Sequence, residues 1–82
     1  MENKAEEIVI KEGDYVHYAP LFGKPENGRV KSVKKGLVFV VYKCNNEWEH
    51  YLDYTGCATN TTDIRLGWID DQGNKIQTPE NQ

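Results

Sequence analysis

Few features of this 82-residue chain point to chemistry. It has two cysteines, two histidines, one methionine and three prolines, and no apolar run nears the roughly 18 residues needed to cross a bilayer. The opening Met1-Glu2-Asn3-Lys4-Ala5-Glu6-Glu7 is acidic and has no apolar centre, so it does not read as a secretory signal. These absences predict a cytoplasmic protein with no membrane association. In that setting Cys44 and Cys57 are expected to be free thiols, and the sequon Asn60-Thr61-Thr62 is expected to stay unmodified.

Catalytic signatures are equally scarce. No Gly-x-Ser-x-Gly, His-Glu-x-x-His or phosphate-cradling glycine loop is present. A nucleophilic cysteine needs a base within hydrogen-bond reach and a group to orient that base. Cys44 or Cys57 with His50 is the one such combination, and it reads better as thiols beside a surface histidine. Cys44, His50, Cys57 and His17 lack the close pairing of ligands that zinc knuckles use. Asp70-Asp71-Gln72-Gly73 lacks the alternating oxygen ligands of a calcium loop. The expectation is a non-catalytic protein with no metal and no cofactor.

Aromatic residues are what the chain does have. All nine, Tyr15, Tyr18, Phe22, Phe39, Tyr42, Trp48, Tyr51, Tyr54 and Trp68, lie between positions 15 and 68. Each buries on the order of 150–250 Å², which is how so short a chain can build a core. A domain of this size buries only about 60% of its unfolded surface. Some rings should therefore remain partly exposed, and those are candidates for a binding face.

The net charge of −3 conceals an uneven distribution. Residues 1–14 carry five acids and two bases, residues 24–43 carry six bases and one acid, and residues 44–82 carry seven acids and two bases. A basic middle between acidic flanks keeps a nucleic-acid partner in view.

Residues 1–7 read as a flexible lead-in. Ile8-Val9-Ile10 is a β-branched run, and Lys11 to Asp14 a turn. Tyr15 to Ala19 is a strand closed by Pro20, and residues 20–27 form a loop carrying Phe22. Asn27-Gly28 signals a turn. Residues 29–33 and 37–43 then make a hairpin about Lys34-Lys35-Gly36, the second strand apolar on both faces and so central. Residues 44–55 combine helical spacing (Trp48, Tyr51, Leu52) with strand-like alternation, and read as a loop with a short helical turn. A strand follows near 56–60. Thr62 to Arg65 reads as an N-capped turn, residues 66–69 as a last strand, Asp70 to Asn74 as a turn, and 77–82 as a disordered tail. Five or six short strands at this spacing predict an all-β barrel, with at most one short helical turn. An OB-like barrel is the alternative.

The succession Gly13-Asp14-Tyr15-Val16, Asn27-Gly28-Arg29-Val30-Lys31-Ser32-Val33 and Val38-Phe39-Val40-Val41-Tyr42 resembles the opening of SH3-like barrels of the Tudor and KOW kind. Trp48 through Thr55, with Thr62-Asp63-Ile64-Arg65-Leu66-Gly67-Trp68, is similar to small uncharacterised phage and bacterial proteins. The resemblance covers residues 8–69 and implies one SH3-like barrel over residues 8–76. It implies a binding module and no particular activity, because this barrel hosts many unrelated roles.

Two surfaces compete for that role. The first is an acidic–aromatic face of Tyr15, Phe22, Trp48, Glu49, Tyr51 and Tyr54, suited to a basic or proline-rich protein segment. A phage or mobile-element accessory protein would use such a face to engage another protein. The second is a basic hairpin of Arg29, Lys31, Lys34 and Lys35, suited to the phosphates of a nucleic acid.

Overall fold

The computed structural model describes residues 9–79. The expected lead-in, residues 1–7, and the last residues of the expected tail, 80–82, lie outside that range. Thr78 is buried, however, so the chain stays packed beyond the expected end of the domain at residue 76.

Five strands form an antiparallel sheet: β1 (Tyr15–Tyr18), β2 (Glu26–Lys34), β3 (Leu37–Val41), β4 (Cys57–Asn60) and β5 (Ile64–Leu66). Their spatial order is β4-β3-β2-β1-β5, so a four-stranded meander is completed by a last strand that returns beside the first. Two further strands, β6 (Trp68–Ile69) and β7 (Lys75–Ile76), make a separate ribbon. Helical structure includes two 3-10 segments, Trp48–Asp53 and Thr61–Asp63. The all-β class is as the sequence predicts, and the helical turn expected within residues 44–55 is the first of these segments.

The core is small and β-branched. Val16, Val30, Val38, Val40 and Ile64 cluster with little or no exposure, and Ile10 and Tyr42 pack against them. Stiff χ1 angles suit these side chains to a pleated surface. Tyr42 closes the edge of the core. Because Thr59 Oγ1 donates to the carbonyl of Cys57, the Tyr42 hydroxyl is the donor in its 3.0 Å bond to Thr59. Burial pushes the Tyr42 phenol above its ordinary pKa.

Asn27-Gly28 is not a turn. Both residues lie inside β2, paired with His17 and Val16 of β1. The sheet needs glycine at position 28 for space: an added Cβ would stand 2.6 Å from Val40 Cγ1 and 2.7 Å from the carbonyl oxygen of Val41. Asn27 is there for its carboxamide. Its Nδ2 donates to the carbonyl of Ile69, and its Oδ1 accepts from the Ile69 N–H. The same oxygen accepts from Nδ1 of the buried His17 at 2.7 Å, which places the His17 proton on Nδ1. One side chain thus stands in for a strand and fastens the β6–β7 ribbon to the sheet.

Two smaller expectations also shift. The expected last strand, 66–69, is divided at Gly67, whose φ of +91° breaks β5 from β6. The expected capped turn at 62–65 begins one residue earlier, and Asn60, at its N-cap, makes no side-chain cap hydrogen bond.

Candidate functional site

After β3 the chain passes through Asn45 and Asn46, with φ of 54° and 65°. Asparagine tolerates this left-handed region better than most residues, and the pair turns the chain into the first 3-10 segment. Backbone bonds from Glu47 N to Cys44 O and from His50 N to Glu47 O hold its start. The segment is two short turns that meet at a kink at His50, with φ of −108° and ψ of 26°, so Trp48 stands before the kink and Tyr51 after it. No residue of the segment is buried.

Trp48 and Tyr51 belong to a continuous cluster. Trp48 meets Trp68 edge-on at 5.1 Å between ring centroids, and Trp68 meets Tyr15 edge-on at 5.4 Å. Such pairs contribute about 0.5–1.5 kcal/mol beyond burial. The indole Nε1 of Trp68 donates to the carbonyl of Gly28 at 2.9 Å. Arg29 completes the cluster, its guanidinium 4.5 Å from the Tyr15 centroid and 4.2 Å from that of Tyr51. It also donates through Nε to Gly13 O and through Nη1 to Trp48 O, both at 2.9 Å.

Tyr54 stands just past the segment and faces a different depression. An open groove runs beside it, lined by Glu26, Tyr42, Lys43, Thr55 and Cys57. The Tyr54 hydroxyl donates to Glu47 Oε1 at 2.8 Å, and the carboxylate that accepts this bond raises the phenol's pKa. Lys31 Nζ donates to the Tyr54 carbonyl at 2.5 Å. Glu47, Glu49, His50, Leu52 and Asp53 are all exposed around these rings. The contact between Glu49 and His50, 3.8 Å across open surface, contributes little.

The expected acidic–aromatic face is therefore gathered in part. Trp48, Glu49 and Tyr51 lie on one segment, and Tyr54 follows its end beside a separate groove. Tyr15 is buried beneath the cluster and serves as its support, not as a ring offered to a ligand. Phe22 is 86% exposed beside an equally bare Leu21. The loop that carries it departs from the Tyr18 end of β1, and it makes no ring contact with the cluster among the described residues.

The expected basic hairpin divides. Lys34 and Lys35 are exposed at its tip, but Arg29 and Lys31 are turned onto the 3-10 segment and its exit, where they make the bonds just described. Sequence reading missed that use. The available signal was Arg29 following Asn27-Gly28 within one long strand, which sets it opposite Val41 and near the chain leaving β3.

Cys44 is buried and Cys57 exposed, both as free thiols. Burial pushes the Cys44 thiol above its ordinary pKa. Among the described residues no group of three or more His, Cys, Asp or Glu side chains is placed to hold a metal, and no helix is long and apolar enough to cross a membrane. Comparison with protein-family models, with curated proteins and with solved structures gives no match for this chain.

Proposed function

We propose that the chain is a non-catalytic, SH3-like protein-interaction module that receives a basic or proline-rich segment along Trp48–Tyr54. The observation that carries this reading is the presentation of that segment. Its rings are half-exposed, its acids point outward, and it is braced from behind by the Arg29 and Lys31 hydrogen bonds. Preorganised aromatic surface lowers the cost of binding, because little side-chain freedom remains to be lost. Glu47, Glu49 and Asp53 favour cationic partners, and the Tyr42–Tyr54 groove beside them accepts an apolar side chain.

The commitment of Arg29 and Lys31 also weighs against the alternative of nucleic-acid binding, since it leaves Lys34 and Lys35 as the free cations of that hairpin. A phage or mobile-element accessory role fits the resemblance in the sequence and belongs to the same reading.

The test compares two variants in capture from a host-type lysate with nuclease added. Trp48→Ala should lose a protein that the parent captures, while Lys34→Glu with Lys35→Glu should retain it. Matching thermal melts must show both variants folded. Loss on charge reversal alone, or on nuclease treatment, would overturn the reading.

A further inference from the structure

Among the described residues the main sheet ends in β5, which pairs with β1 along one side. On that side, Asp63 O accepts from Ala19 N, and Gly67 N donates to Tyr15 O, each at 2.8 Å. Antiparallel bonding alternates, so residues 63, 65 and 67 direct their backbone groups toward β1 while Ile64 and Leu66 direct theirs away. The Ile64 N–H is taken by Thr61 O. The Ile64 carbonyl and the Leu66 N–H are therefore directed away from β1, as the acceptor and donor of one strand bridge, on residues that are 3% and 42% exposed.

This edge opens into a groove between β5 and the β6–β7 ribbon, lined among others by Thr61, Thr62, Leu66, Arg65 and Lys75. No acid lines it. Neither cation has a carboxylate partner among the described residues, and Lys75 Nζ donates to Leu66 O at a long 3.3 Å. Register divides the side chains of β5 by face. Ile64 and Leu66 share the face of Tyr18 and Val16, and Arg65 shares that of His17. Leu66 is 42% exposed on the first face, and Arg65 is exposed on the second.

We propose that β5 is a docking edge for an extended acidic segment of a partner protein. The segment adds as a sixth strand to the main sheet. Its backbone bridges Ile64 O and Leu66 N, its acidic side chains lie toward Arg65 and Lys75, and the alternate apolar side chains cover Leu66. Backbone bonds supply affinity in this mode and alternate side chains supply choice. An unpaired edge beside two unneutralised cations selects for negative charge in the incoming strand. The site is separate from the Trp48–Tyr54 face and does not depend on its function.

The probe is a short fluorescent peptide alternating Glu and Val, titrated into the full chain and compared with a Lys–Val counterpart. The Glu–Val peptide should bind, and Arg65→Glu with Lys75→Glu should weaken it by at least about tenfold while admitting the Lys–Val peptide. N-methylation of alternate peptide amides should abolish binding for the set that faces β5 and spare it for the other set. Should the double charge reversal fail to fold, Arg65→Gln with Lys75→Gln serves the same comparison. No binding of the Glu–Val peptide at millimolar concentration would overturn the proposal, as would binding indifferent to charge reversal. Displacement by inorganic phosphate together with tolerance of both N-methylated sets would reveal a simple anion site and overturn strand addition.

Discussion

The Arg29 guanidinium lies 4.2 Å from the centre of the Tyr51 ring, and through Nη1 it holds the carbonyl of Trp48 three residues earlier. One cation from the middle of β2 thus contacts the segment on both sides of its kink at His50. Lysine cannot reproduce this, since it lacks the planar fork that stacks and donates in two directions. Arg29→Lys should destabilise the fold by about 2 kcal/mol, the scale of a charge-assisted hydrogen bond lost with part of a cation–π contact. For a domain of this length, each kcal/mol lowers the melting midpoint by about 4–8 °C. A melt unchanged by Arg29→Lys would show that the turn holds itself.

Asn27, two residues earlier on β2 and so on the same face of the sheet, performs a comparable service for the β6–β7 ribbon. Asn27→Ala removes the acceptor of His17 Nδ1–H and both partners of Ile69. Leaving such groups unpaired costs about 1–3 kcal/mol. The effect should be local first. Amide exchange at Ile69 should accelerate well beyond that of the core strands, measured under conditions where the variant remains folded. Uniform acceleration across the sheet would mean that the ribbon and the sheet open together.

These two residues also mark where the sequence misleads. Aromatic and β-branched residues identify β1, and an apolar run identifies β3, because Val16, Val38 and Val40 sit where alternation and burial demand them. Asn27-Gly28 carries the strongest local turn signal of the chain and yet lies mid-strand. The glycine is required by the close approach of Val40 and Val41 on the neighbouring β3, and the asparagine by Ile69, forty-two residues away. Neither requirement is local, so no window of sequence contains it. The site was legible to the same degree. The spacing of Trp48, Tyr51 and Leu52 predicts the helical turn, whereas the capture of Arg29 and Lys31 depends on how β2 lies against that turn.

Gly28→Ala follows directly from this crowding. The added methyl would need to displace β3 backbone and two side chains at separations under 3 Å. Overpacking of this kind costs about 1–3 kcal/mol or more. Urea unfolding should show a lowered midpoint with an unchanged slope, and a midpoint equal to the parent's would show that β3 yields freely.

The two thiols should behave as opposites. Cys57 is exposed in the groove beside Tyr54, whereas Cys44 is 2% exposed and its thiol is pushed up by burial, which reduces the thiolate available at any given pH. Brief treatment with iodoacetamide at neutral pH should add a single group, at Cys57, with the second added only after denaturation. Intact-mass spectrometry followed by peptide mapping reads the outcome. Equal labelling of both thiols in the native protein would contradict the buried position of Cys44.

Acid should act on the β6–β7 turn through Asp70. Its Oδ1 accepts hydrogen bonds from the backbone N–H groups of Asn74 and Gln72, both at 2.9 Å. The bond from Asn74 is the leading cause that holds the carboxyl below its ordinary value of 3.8. A depressed native pKa means that the unfolded chain binds this proton more readily than the folded one. The stability Asp70 contributes is therefore complete above the ordinary value and declines as pH falls through it toward the lower native value. The comparison is between the parent and Asp70→Ala, by urea unfolding from neutral pH into acid. Their difference should be largest at neutral pH and shrink below about pH 4, as protonation removes from the parent what the substitution has already removed from the variant. A difference that stayed constant with pH would show that the turn is held by its backbone bonds, Asp70 N to Asn74 O and Gly73 N to Asp70 O, rather than by the carboxylate.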